Sequence, residues 1–304
     1  MRSRDYFFDQ ARHGGFLLFA AVAVVCGASQ SEQPNLEAIP AMAGTVTSKD
    51  GVKIAFEKSG SGPAVILVGG ALSDRKGGQP LAARLAGNFT VYVFDRRGRG
   101  ESTDAKTYAV EREIEDLAAL IHDAGGSASL YGVSSGAALA LHAAAKLGPA
   151  KVPRLALYEP PYAATDAEQK ETFIGQKRRT NELIKTGQPG DAAAYFLGAI
   201  GTPPELLKKM QASPDWENMR KIDFTLEYDY AVLGDGTVPE AAAKSVVVPT
   251  LVLDGEKTLD FMHVTADRVA ALVPGAKRKT LKGQTHQAAP EVTAPVLIEF
   301  FQAR

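Results

Sequence analysis

The 304-residue sequence contains a single cysteine, Cys26. If the N-terminal segment that carries it is removed, no thiol remains, which excludes disulfides and thiol catalysis in the rest of the chain. Charge of neither sign is in excess: 34 Lys and Arg stand against 35 Asp and Glu, for a net charge of −1. The signs are interspersed and no basic stripe is present, so nothing in the charge pattern points to nucleic acid. No His, Cys, Asp or Glu cluster has metal-ligand spacing, and neither a metal nor an organic cofactor is expected. There is no internal repeat and no low-complexity segment. The apolar run Phe16 to Cys26 is too short to span a membrane comfortably, so no stable membrane insertion of the main body is expected. What is present is 45% apolar and 23% charged residues. Such a chain can bury a large core and suits one domain plus an insertion.

Arg2, Arg4 and Arg12 precede that apolar run, which ends in the small residues Cys26-Gly27-Ala28. The pattern resembles a secretory signal over residues 1–28, with cleavage after Ala28. It implies a periplasmic or secreted protein, or one held by an N-terminal anchor. Val25 is bulky just before Cys26 and argues against lipid attachment there. The alternative is a cytoplasmic protein whose translation starts at Met42. Residues 29–43 read as a linker.

From residue 44 the pattern changes. Thr45 to Ser48 and Val52 to Glu57 alternate in polarity around Asp50-Gly51, the signature of a β-hairpin. Ala64 to Val68 and Thr90 to Phe94 are continuous apolar runs, expected for strands buried on both faces. Leu81 to Leu85 reads as a short helix between them. Val110 to Ala124 is an amphipathic helix with Ile114, Leu117, Leu120 and Ile121 on one face. A strand ending near Val133, a helix from Ala137 to Lys146 and a strand Leu155 to Tyr158 follow. Strands alternating with helices predict an α/β fold: a mostly parallel twisted sheet with helices on both faces.

The alternation stops between Tyr162 and Val246. Helical patterns at Ala167 to Lys185, Ala192 to Ile200 and Pro204 to Gln211 are broken by Pro and Gly, and aromatics concentrate there. Residues 162–246 are therefore expected to form a helical cap inserted into a core of residues 44–161 and 247–304. Tyr162, Phe173, Tyr195, Phe196, Trp216, Phe224, Tyr228 and Tyr230 either line an apolar substrate pocket or form the cap's own core; for any one of them the second reading is preferred. Alternation resumes with a strand Thr250 to Leu253, a helix Phe261 to Leu272, a strand Lys277 to Leu281 and a helix Val292 to Phe301.

The organising stretch is Leu130 to Leu139, in which Gly132, Ser134 and Gly136 form a G-x-S-x-G pattern between a strand and a small-residue helix. A turn this sharp strains the backbone at the Ser and needs small neighbours to close. It lifts the Ser134 hydroxyl above the sheet and aims the N–H of Ser135, at the helix N-terminus, where an oxyanion would form. Three further features occur in order. Gly69-Gly70-Ala71 follows a strand, Asp95-Arg96-Arg97-Gly98-Arg99-Gly100-Glu101-Ser102 follows the next, and His286 stands in the loop after the last.

Together these resemble the α/β-hydrolase fold family over residues 44–304. The Gly69 turn looks like the family's oxyanion loop, and the Asp95 segment is similar to its D-x-R-G-x-G-x-S stretch. The resemblance implies Ser134 as nucleophile, His286 as base, and the backbone N–H groups of Ala71 and Ser135 as oxyanion donors. The family often has His-Gly before the first donor; Gly69-Gly70 stands there in this chain. The usual acid position, three residues past Gly255, is occupied by Thr258, which cannot stabilise an imidazolium as a carboxylate does. Glu159, after the strand Leu155 to Tyr158, is the preferred replacement, as in some branches of the family including certain haloalkane dehalogenases. Asp260 and Asp254 are the other candidates.

The resulting expectation is a serine hydrolase for an ester or related acyl bond of a small, partly apolar substrate. A serine in the elbow argues against epoxide or haloalkane hydrolysis, for which related branches use aspartate. A C–C hydrolase or lactonase of the same fold, and a non-catalytic ligand binder, are the alternatives.

Overall fold

The computed structural model describes residues 40–303. The expected signal over residues 1–28 and most of the expected linker lie outside the described residues. Strand β1 (Met42–Thr47) takes up the last two residues of that expected linker. It pairs antiparallel with β2 (Lys53–Ser59) from Met42 opposite Lys58 onward. The hairpin turns at Gly51 with φ 89°, a left-handed value that glycine accepts without steric cost.

After this hairpin come β3 (Ala64–Val68), α1 (Gln79–Leu85), β4 (Thr90–Phe94), α2 (Val110–Asp123), β5 (Ser129–Val133), α3 (Ser135–Leu147) and β6 (Leu155–Tyr158). A helical insertion then holds α4 (Ala167–Thr186), α5 (Asp191–Ala199), α6 (Pro204–Gln211), α7 (Asp215–Ile222), α8 (Leu226–Leu233) and α9 (Glu240–Ser245). The chain closes with β7 (Thr250–Gly255), α10 (Asp260–Leu272), β8 (Lys277–Leu281) and α11 (Pro290–Gln302). The eight strands form one sheet in the order β1-β2-β4-β3-β5-β6-β7-β8, with β4 through β8 parallel along that order and β1 and β2 antiparallel.

Helices α7, α8 and α9 were not anticipated from the sequence pattern. Each is short, and α8 buries Leu226, Tyr228, Asp229, Tyr230, Val232 and Leu233 around most of its circumference. A helix buried nearly all round has no single apolar stripe to detect.

Both faces of the sheet are covered. Ile66, Val68, Leu130, Leu157 and Val252 pack on one side with Leu117, Leu120, Leu139 and Leu141 of α2 and α3. Val65, Leu67, Tyr131, Ala156 and Leu253 pack on the other with Leu81 and Leu85 of α1 and Leu297 and Phe301 of α11. Residues alternate between faces along each strand, so burial of both faces makes the strand sequences read as unbroken apolar runs. Lys277, Arg278 and Lys279 mark β8 as a charged edge, which discourages pairing with another chain.

Strand order reverses at β3. The chain leaves β3 for β4 on one side and returns across it to β5 on the other. Loops after β3 and β5 therefore open a crevice at the carboxyl ends of two neighbouring strands, where open α/β sheets bind ligands. That crevice depends on how closely α3 packs. A Cβ on Gly136 would lie 2.3 Å from the carbonyl oxygen of Val68 and 2.5 Å from that of Gly69. One on Gly132 would lie 2.4 Å from the Gly136 carbonyl oxygen.

The insertion's aromatics largely pack among themselves and against the core. Tyr162, Phe173 and Tyr230 join the cluster that contains α3, and Phe173 meets Tyr230 edge-on at 5.4 Å between ring centroids. Tyr228 stacks on Tyr108 at 3.9 Å.

Two glycines should respond oppositely to alanine. Gly136→Ala places a methyl against backbone that cannot yield, and should lower stability by about 3 kcal/mol. Gly175→Ala in α4, where a Cβ meets nothing, should raise it by about 0.5–1 kcal/mol. Urea unfolding midpoints of the two variants measure this; shifts of the same sign would contradict the packing described.

Candidate active site

Among the described residues, three that are not glycine have positive φ: Leu72 at 54°, Ser134 at 57° and Glu159 at 47°. They follow β3, β5 and β6, the three strands that bound the crevice. Each such conformation costs on the order of 1–3 kcal/mol and persists only where the surroundings enforce it. At Ser134 the enforcement is visible. Its N–H donates to the Tyr158 carbonyl at 2.9 Å, and its own carbonyl accepts from the N–H of Ala137 at 2.9 Å as α3 begins. The side chain is left half-buried at the head of the helix.

The loop after β3 lies directly against this serine. A Cβ on Gly70 would sit 3.0 Å from the Ser134 Cβ and 3.6 Å from its Oγ, so glycine permits an approach that another residue would crowd. The Gly70 carbonyl accepts from Ser73 Oγ at 2.7 Å and from Arg99 Nη1 at 2.6 Å. Ala71 follows, and Leu72 anchors the loop by packing with Ala192, Ala193 and Leu226 of the insertion.

Glu159 is fully buried. Its Oε2 lies 2.6 Å from Nδ1 of His286, which is partly exposed. The same oxygen accepts from Thr258 Oγ1 at 2.9 Å, and Oε1 accepts from the N–H of Gly255 at 2.7 Å. A buried carboxylate thus has partners for both oxygens. Thr258, at the position where the family resemblance puts an acid, serves instead as a donor to the acid from β6. The loop bearing His286 is tied down by the Tyr158 hydroxyl, which donates to the Thr285 carbonyl. Burial, with the nearby Glu159 carboxylate adding to it, pushes the Tyr158 hydroxyl far above its ordinary range and keeps its proton in place.

The other two acids considered are elsewhere engaged or exposed. Asp254, buried at the end of β7, holds both Nη atoms of Arg278 at 2.6 Å and pairs with His263 Nδ1. Asp260 is exposed at the start of α10. The structure therefore brings Glu159 and His286 together and leaves Asp254 and Asp260 out of that contact. His142 Nε2 meets the Val232 carbonyl at 3.2 Å within the core.

A group absent from the sequence-based candidates lies behind the Gly69–Ser73 loop. Arg96, Arg99, Glu113 and Asp229 are all buried and joined by ion pairs. The arginines belong to the Asp95–Ser102 stretch, whose charge was legible only as part of a motif. Asp229 sits in α8 between Tyr228 and Tyr230, where no pattern marked it. Among the described residues, no group of three His, Cys, Asp or Glu side chains could hold a metal ion. None of the described helices is long and apolar enough to cross a membrane.

The α/β hydrolase family pattern matches residues 65–297. An α/β hydrolase of known structure from Sphaerobacter thermophilus is 50% identical, with a TM-score of 0.77 over 85% of this chain and 100% of its own. A thermophilic esterase from Thermogutta terrifontis shares the fold at 23% identity, with a TM-score of 0.64 over 86% of this chain and 97% of its own. The zearalenone hydrolase of Cladophialophora bantiana is 32% identical over 104 residues, a stretch that spans 32% of this chain and 39% of that protein. With the matched pattern running from β3 into α11, the chain belongs to the α/β hydrolase family.

Proposed function

We propose that this protein is a serine hydrolase that cleaves an ester or related acyl bond of a small, partly apolar substrate. The observation that carries the reading is the 2.6 Å contact between Glu159 Oε2 and His286 Nδ1, with Ser134 strained to φ 57° at the end of the strand adjacent to the one that ends at Glu159.

The chemistry follows from what each group can do. A serine hydroxyl is a weak nucleophile at neutral pH and needs a base. With Nδ1–H held by Glu159, the neutral imidazole keeps its lone pair on Nε2. Nε2 takes the Ser134 proton as Oγ attacks the acyl carbon. The oxyanion that forms is held by the N–H groups of Ala71 and Ser135. Protonated His286 gives its proton to the leaving oxygen as the bond to the acyl carbon breaks, which leaves an acyl-enzyme. Water, deprotonated by His286, attacks the same carbon, and His286 returns that proton to Ser134 Oγ as the acyl–oxygen bond breaks and the acid leaves. Glu159 orients the ring and stabilises the imidazolium.

The helical insertion acts as a cap in this reading. Two features support it: the insertion begins directly after Glu159, and its residues pack on Leu72 of the oxyanion loop. The family membership and the esterase among the structural neighbours agree with ester chemistry.

Labelling with a fluorophosphonate probe, followed by peptide mapping, tests the assignment. One label per chain is expected at Ser134. Glu159→Gln should slow labelling on the order of 10³–10⁴-fold, because the wrong tautomer is then favoured, while Asp260→Asn should leave it within about twofold. A folded wild-type protein that takes no label would sink the proposal, and a large loss in Asp260→Asn would move the acid.

A milder effect is expected at Thr258. Thr258→Val removes one hydrogen bond to the Glu159 carboxylate and should cost about tenfold in turnover of 4-nitrophenyl butyrate. Thr258→Ser, which keeps the hydroxyl, should recover most of it. Equal rates for the two variants would show that this bond does not matter.

A further inference from the structure

Two positive and two negative side chains are buried together behind the oxyanion loop. Glu113 of α2 accepts from Nε and Nη2 of Arg96, each at 2.7 Å. Asp229 of α8 accepts from Arg96 Nη1 at 2.6 Å and Arg99 Nη2 at 2.7 Å. Tyr108 donates to Glu113 at 2.7 Å, and Arg99 Nε donates to Thr225 Oγ1 at 3.1 Å. Burial alone would raise the Asp229 carboxyl, but the Arg99 and Arg96 guanidiniums hold it below the usual carboxylate range, so it is ionised. Buried ion pairs of this kind stabilise a fold little more than packed apolar side chains do. Their placement therefore calls for another explanation.

The placement is specific. The Gly70 carbonyl and the Ala71 N–H are the two ends of one peptide unit. The described residues contain no cis peptide, and in a trans unit the carbonyl and the N–H point in opposite directions. Arg99 Nη1 holds the carbonyl at 2.6 Å and Ser73 Oγ holds it at 2.7 Å, so the N–H is turned away from the buried cation. A charged donor on the carbonyl also polarises the amide and makes its N–H a stronger donor. The second expected oxyanion donor is the N–H of Ser135. The hydroxyl of that same residue donates to Asp229 Oδ1 at 2.8 Å. One carboxylate thus grips both donor residues, Ser135 directly and the Gly70–Ala71 peptide through Arg99.

We infer that Asp229 is a positioning residue for the oxyanion hole: reaching from the helical insertion, it holds Ser135 and, through Arg99, the Gly70–Ala71 peptide, so the hole is complete only when the insertion is seated. The inference rests on the serine-hydrolase reading. It assigns the insertion a second role beside covering the substrate, because the site's electrostatics are closed by a side chain outside the sheet.

The test compares wild type, Asp229→Asn, Ser135→Ala and Asp116→Asn. The last breaks a different buried pair, Arg97 with Asp116 at 2.7 Å, and controls for general destabilisation. Active sites are counted by fluorophosphonate titration, and kcat and KM for 4-nitrophenyl butyrate are measured per titrated site alongside melting temperatures. Asp229→Asn should lower kcat on the order of 10²-fold, the scale of losing one oxyanion donor, with KM within about twofold. It should also weaken inhibition by a trifluoromethyl ketone, which forms an oxyanion when Ser134 adds to it. Asp116→Asn should lower the melting temperature and leave kcat per site unchanged. Ser135→Ala keeps every ion pair and should lower kcat about tenfold without a large change in melting temperature; it decides the matter if Asp229→Asn fails to fold. Wild-type kcat per site in Asp229→Asn, or in Ser135→Ala if that is the folded variant, would overturn the inference while leaving the serine hydrolase intact. A wild type that neither takes the label nor turns over the ester would instead remove the reading on which it rests.

Discussion

The first turn of helix α3 comes so close to the sheet that no side chain fits at Gly132 or Gly136, and the site follows from that contact. A Cβ on Gly136 would fall within 2.5 Å of two carbonyl oxygens at the end of β3. With Gly132 and Gly136 bare, the chain turns from β5 into α3 in a single residue. Ser134 absorbs the turn in a left-handed conformation that an unconstrained serine would avoid. The same contact brings the β3 loop against the serine. Leu72 and Glu159, the other two residues of positive φ outside glycine, lie after the flanking strands. Strain is thus concentrated at three loops of one crevice and is carried by a core packed on both faces of the sheet.

The buried Glu159 carboxylate shows how neighbouring strand ends converge on one histidine. Strands β6 and β7 are neighbours, with Tyr158 opposite Leu253, so their carboxyl ends open onto one space. The carboxylate that meets His286 comes from the end of β6, and the end of β7 and the loop after it contribute two donors to it, the Gly255 N–H and the Thr258 hydroxyl. That arrangement satisfies a carboxylate buried without access to water, which an unpaired charge could not tolerate.

The insertion is tied to the sheet by both packing and charge. Its aromatics pack into the main core, and its α8 carries a carboxylate to a pair of arginines from the β4 loop. Charges buried this deeply must be matched almost one for one, and the four residues are. The match fixes the orientation of α8 against the sheet more narrowly than apolar contact would, because ion pairs and hydrogen bonds are directional where apolar contact is not.

Much of this was legible in the sequence, because the signals are local. Continuous apolar runs reported strands buried on both faces, the amphipathic period of α2 reported its buried stripe, and the glycine spacing around Ser134 reported a turn that only small residues allow. The order of those pieces sufficed for the fold, and it singled out Ser134 and the loop that bears His286 as candidates. Helix α8 was not legible, since a helix buried nearly all round shows no period, and neither was α9, which is only six residues long. Glu159 was legible only as the better of several acids, since the choice depends on which carboxylate reaches His286 across two strands. Asp229 was not legible at all, because its partners Arg96, Arg99 and Ser135 lie far from it along the chain. Sequence by itself determined the strands, most of the helices and the turn at the serine, which depend on neighbours in the chain. Only the tertiary structure decided which charges meet, because an ion pair depends on distance in space, and residues far apart in sequence meet only once the sheet and insertion are assembled.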